Sequence, residues 1–111
     1  MSTHDDRLQV IEQNYLDALQ NETFDLAKTP DPVHISSIQA NVANARVAYF
    51  TAVVSSLREN NNGVEIAYQS AVDARQEVAK ARTRSASIPE LIGKLQSATE
   101  KATDLLQKAK S

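Results

Sequence analysis

Two histidines, His4 and His34, are the only side chains in this 111-residue sequence that exchange a proton near neutral pH. With no cysteine there is no thiol nucleophile, thiolate ligand or disulfide. His4 has the richer chemistry. Once Met1 is removed, Ser2-Thr3-His4 begins at a free amine. A third-position imidazole, the two amides before it and that amine can wrap Cu(II) or Ni(II) in a square plane, the geometry those ions prefer. His4 is therefore the one weak metal candidate, and its plain alternative is a frayed terminus. His34 follows Asp31 in a first helical turn, with Ser36 and Ser37 beside it. Their helical positions do not build a nucleophile, base and orienter, so His34 reads as a surface or capping residue.

A di-metal bundle would want Glu-x-x-His on two helices, and the sequence has none. Glu22, the odd acid on an apolar stripe, reads as an edge residue reaching water. Arg75, Lys80, Arg82 and Arg84 are the densest basic cluster, but no aromatic platform accompanies them, and Asp73 and Glu77 interleave. That is a solvated helix face and a helix end. Two glycines leave no Gly-rich phosphate loop. No catalytic set or cofactor site assembles, so the expectation is a protein that is not an enzyme and takes no cofactor.

The elements that must position these residues are helical throughout. Leu8, Ile11, Tyr15, Leu19 and Leu26 recur at three-to-four spacing and predict a first helix over about 5–27. Pro30 and Pro32 end it. Asp31 before Pro32 is an N-cap followed by proline at the first helical position, which starts a second helix over about 32–59. Asn60-Asn61-Asn62-Gly63 reads as a left-handed C-cap and tight reversal, with a third helix over about 64–84.

Ala40, Ala43, Val47, Phe50, Val54 and Leu57 fall on a heptad, and so do Val64, Ala67, Ala71, Ala74, Val78 and Ala81. Folded antiparallel, these two seams put Phe50 opposite Ala71 and Val47 opposite Ala74, large against small. The second helix has another apolar face, Ile35, Ile38, Val42, Ala45, Tyr49 and Ala52, for the first helix to cover antiparallel.

The C-terminal segment presents a fork. Ile88, Ile92, Leu95, Leu106 and Ala109 continue the third helix's heptad, which favours one long helix forming an intermolecular coiled coil. Ser87 with Glu90 fits a capping box, and Pro89 inside a continuous helix would cost about 3 kcal/mol. The preferred outcome is a break at Ser85–Ser87 and a fourth helix over about 88–110. The fold expected is a single all-α domain, 1–111: the helical hairpin extended to an up-down four-helix bundle.

Net charge is −2, with 12 basic and 14 acidic residues, which gives no drive toward nucleic acid or an anionic membrane. The polar start is no signal peptide, and Val47–Val54 is far shorter than the ~20 residues of a membrane span. A cytoplasmic location is expected. In outline the chain resembles small bacterial helical-hairpin proteins, although no motif names a family.

The surplus apolar seams point to a non-enzymatic interaction protein that dimerises or holds a partner helix. Tyr68, Ile88, Ile92, Leu95, Leu105 and Leu106 are the interface candidates. The alternatives are a small chaperone or escort for a secretion or phage-assembly component, and a metal- or small-ligand-binding bundle.

Overall fold

A computed structural model describes all residues, 1–111. It is all-helical, with α1 (His4–Gln20), a short α2 (Glu22–Leu26), α3 (Pro32–Val53), α4 (Asn62–Thr83) and α5 (Ile88–Ala109). The four long helices run up, down, up and down, in a body 44 × 25 × 18 Å. α1 lies between α3 and α4, and so does α5.

The expected first helix is broken at Asn21. Its side-chain amide donates to the Asp17 carbonyl at 2.8 Å and closes α1, and Glu22 opens α2 at the edge of the stripe. Asp31 caps α3 as expected, accepting from the Val33 N–H at 2.9 Å. The antiparallel packing of α1 on α3 also holds, with Tyr15, Ala18, Val42 and Ala45 in one buried cluster.

The pairing of the second and third predicted helices does not hold. No Cα atoms of α3 and α4 approach within 8 Å of each other; these helices stand on opposite sides of the bundle. α5 takes the place assigned to α3. Its leucines enter the alanine seam of α4, Leu91 and Leu95 beside Val78 and Ala81, and Leu105 and Leu106 in the cluster with Val64, Ala67 and Ala71. Large-against-small matching is therefore right for α4, but the large partner is different. A buried leucine is worth about 1.5–3 kcal/mol, and α5 is richer in leucine than the outer seam of α3.

The break before α5 is real, which excludes the long C-terminal helix. Ser85 adopts a left-handed φ of 52°, its N–H donates to the Arg82 carbonyl at 3.2 Å, and the Ala86 N–H donates to Ala81 at 2.9 Å. These bonds make a Schellman end, with serine where glycine is commonest. Ser87 then caps α5. Gly93 marks no close approach, since a Cβ there would meet nothing within 4 Å.

Asn60–Gly63 is not a tight reversal either. α3 stops at Val53, and the next eight residues cross the foot of the bundle, Leu57 buried beneath them. Asn61 caps α4 by accepting from the Val64 N–H at 3.0 Å. No residue of this segment has positive φ, because a diagonal crossing needs extended backbone. Its polar backbone is held from three sides. Arg7, 0% exposed, donates to the carbonyls of Leu57 and Glu59, both at 2.8 Å, and to Asn60 Oδ1 at 3.0 Å. The Glu59 N–H donates to the Ala109 carbonyl, and the Ser111 N–H to the Ser56 carbonyl, both at 2.9 Å.

Candidate functional site

The His4 copper site is not assembled in this fold. Thr3 N-caps α1, and its own N–H donates to Asp6 Oδ2 at 2.9 Å in a capping box. The His4 Nδ1 accepts the Leu57 N–H at 3.0 Å, and the Ser2 N–H donates to Glu65. Metal wrapping would need these same amides and a ring nitrogen, so it would undo the start of α1 and the hold on the crossover. No group of three or more His, Asp or Glu side chains is placed to hold a metal ion.

At His34, Thr29 Oγ1 lies 3.2 Å and Asp31 Oδ2 3.9 Å from Nδ1. Both face one ring nitrogen, whereas a triad needs the nucleophile on one nitrogen of the histidine and the orienting carboxylate on the other. The basic cluster is largely spent on ion pairs. Arg82 clamps the buried Asp25 through two bonds of 2.7 and 3.1 Å and reaches Asp17 at 3.2 Å, tying α4 to α1 and α2. Lys80 pairs with Glu77, and Arg84 with Glu90.

The expected interface residues lie mostly inside the chain. Ile92, Leu95, Leu105 and Leu106 are buried, and Ile88 and Tyr68 are half-buried, Tyr68 against the main core. These side chains are covered by the chain's own helices because α5 folds back onto α4.

What remains outside is the seam of α3. Val47 is 65% exposed, Phe50 55% and Val54 84%, and Ala40 and Ala43 are exposed with them. The inner side of α3 is the other apolar face, Ile38, Val42, Ala45 and Ala52, with Ala48. α3 is thus apolar on two opposite sides, a pattern expected of a helix covered on both.

Charge sets this face apart. Arg46 is the single Asp, Glu, Lys or Arg in α3, while each of α1, α4 and α5 carries five or more. Arg46 does not cross the seam, for it turns toward α1, its Nε donating to the Tyr15 hydroxyl at 3.1 Å. Tyr49 donates to Glu12 Oε2 at 2.8 Å, and this bond holds its phenol above the ordinary tyrosine range. Phe50 rests on these rings, its centroid 6.0 Å from Tyr15 and 5.5 Å from Tyr49.

On its other edge the face opens into a groove of about 1050 Å³ between α3 and α5. Alanines, amides and hydroxyls line the α3 wall, among them Ala40, Asn41, Asn44 and Thr51, and Lys101 and Asp104 stand on the α5 wall. Asn41 is only 4% exposed, and it stands on the groove wall beside Asn44. The carboxamide reaches the solvent of the groove, where a polar group of a bound helix can replace that water.

The sequence shows both apolar faces of α3 and predicts both to be covered; the face toward α1 is covered, and the Ala40–Val54 seam is not, because α4 lies on the other side of the bundle. The lone charge in the 22 residues of α3 is the sequence feature that sets this helix apart from the other long helices. The hold of Arg7 on the crossover had no local signal, because the carbonyls it bonds there are fifty residues away. No protein-family model matches the sequence, and comparison with curated proteins and with solved structures found no match.

Proposed function

We propose that this chain is a non-enzymatic helical interaction protein that binds through the outer face of α3, either to itself or to a partner helix. The observation that carries this reading is the exposed, uncharged heptad seam from Ala40 to Val54. Val47, Phe50 and Val54 each stand to gain up to about 1.5–3 kcal/mol on full removal from water, an amount that association can use. Seams of this spacing are what helices use to recognise helices. No helix is long and apolar enough to cross a membrane, and the cytoplasm is the setting we propose.

Light scattering across a concentration range, with titration of helical peptides from the source proteome, tests the reading. Wild type should associate or bind a helix, and Val47→Glu should weaken that binding at least ten-fold, about 1.4 kcal/mol, while helicity stays unchanged. A chain that does neither, or binding indifferent to Val47→Glu, overturns it.

The groove favours a second use of the same surface. Its α3 wall runs from Ser37 to Thr51, about 21 Å at 1.5 Å per residue, room for four turns of a helix. The open Asn41 carboxamide would meet a polar side chain on that helix. An escort for another protein's coiled-coil segment would work this way, and a helix bound there should be lost in Asn41→Leu with the fold intact. Unchanged binding would set the escort reading aside.

A further inference from the structure

We propose that a second copy of this chain covers the outer face of α3, with the two α3 helices antiparallel about a two-fold axis passing between Val47 and Phe50. This rests on the reading of that face as the binding surface and names its occupant.

Charge comes first. An uncharged seam cannot repay the desolvation of a charged surface laid on it. Exposed acids or bases stand on α1 (Asp5), α4 (Asp73, Lys80) and α5 (Glu100, Lys101), so the surface of this molecule that meets the seam without such a cost is the same seam. Side-chain size gives the direction. In antiparallel register Val47 faces Phe50 of the second copy and Ala43 faces Val54, the smaller against the larger in each case. A parallel pair would set Phe50 on Phe50 and Ala43 on Ala43, a bulge beside a gap.

The rim fits the same axis. α3 and α5 run parallel and finish together, where the Ser111 N–H meets the Ser56 carbonyl. Counting back from the helix ends, Val53 and Ala109, at equal rise puts the point between Val47 and Phe50 level with residues 104–105 of α5, about two residues beyond the midpoint of Lys101 and Asp104. A two-fold axis across the helices sets α5 over α5 in reverse, so Lys101 of each copy comes within about one helical turn of Asp104 of the other. Lys101 has no ion-pair partner within its own chain, and Asp104 holds only Lys108, at 3.2 Å. The side of the molecule that carries α3 is about 33 Å long and at most 18–25 Å wide, which caps the area buried per copy at roughly 600–800 Å², so the upper limit reaches the standard interface.

Because the chain has no cysteine, single-cysteine variants report the arrangement cleanly. Ala43→Cys and Val54→Cys sit at exposed positions that the fold does not use. Mixed and oxidised, they should form the crossed 43–54 disulfide, and neither should link to itself, since antiparallel copies of residue 43 lie about 16 Å apart along the axis. Light scattering should give twice the chain mass. Lys101→Asp should raise the dimer dissociation constant several-fold, and adding Asp104→Lys should restore it.

Links of 43 to 43 and 54 to 54 would overturn the antiparallel arrangement, and failure of the charge swap to restore affinity would overturn the rim pairing. A wild-type monomer at every concentration would overturn the second copy as occupant and leave the α3 face available to a partner helix. A dimer that persists unchanged in Val47→Glu would overturn both this inference and the reading it rests on.

Discussion

The seams of α3 and α4 look alike in sequence and end in opposite places. Each repeats small and branched apolar residues every three and four positions. On α4 this seam is in the core, with Val64, Ala67, Ala71, Val78 and Ala81 all buried. On α3 the matching seam faces outward, and the other side of the helix is used inside. The difference lies with a third party. α5 is the most one-sided helix, nine of its residues buried, and it reaches α4 through a short turn. Its leucines fill the alanine seam, and α3 is left to pack on α1 and the far flank of α5. An apolar seam is thus an offer of contact, and which seam is accepted depends on the strongest competitor.

Paired substitutions sharpen or break this contrast. Leu105, 0% exposed, fills the α4 seam, so Leu105→Ala should cost about 2–5 kcal/mol in urea unfolding. Val54→Ala on the outer seam, measured on the isolated monomer, should stay within about 0.5 kcal/mol of wild type. Equal losses would mean that the two seams are equally buried. Enlargement should divide them in the same way. Ala71→Leu overpacks a closed seam and should cost about 1–3 kcal/mol, while Ala43→Leu should be nearly neutral for folding. The outward side of α5 should behave like that of α3. Gly93→Ala has open space around it and should add about 0.8–1 kcal/mol of stability, read as a higher unfolding midpoint.

The smallest effect concerns acid. The Ser2 hydroxyl and N–H hold the Glu65 carboxyl below the usual carboxylate range, and Arg84 does the same for Glu90. A carboxyl whose pKa is lowered by folding contributes its stability above the unfolded pKa and loses it as pH falls through the folded value. Stability should therefore decline below the ordinary carboxylate range. Glu65→Gln should flatten that decline, measured as denaturation midpoint against pH, whereas the α3 outer seam has no carboxyl to titrate. An unchanged slope in Glu65→Gln would remove the foot of the bundle as an acid-sensitive point.

Much of the framework was legible in residue types alone. Pro30, Asp31 and Pro32 marked one boundary and Ser87, Pro89 and Glu90 another, because capping and proline chemistry act within a few residues. The break at Asn21 was missed, since a side-chain bond from Asn21 to the Asp17 carbonyl leaves the hydrophobic period almost unchanged. The end of α3 at Val53 was missed for another reason. Arg7 and His4 supply hydrogen bonds to the extended crossover from the far end of the chain, and no spacing near residue 57 announces them.

The candidate surface was half legible. The heptad on α3 was plain, but its direction was not, because α3 is apolar on both sides and periodicity alone cannot say which side is in. Sequence by itself determined that this protein is helical, where most of its helices begin, and that more apolar seam exists than one hairpin can cover. Those properties follow from short-range rules of capping, proline and the 3.6-residue period. Only the tertiary structure decided that α5 sits against the alanines of α4 and that α3 turns its uncharged face outward. That choice is a competition between distant segments for the same surface, and it is settled by which pairing removes the most apolar area from water.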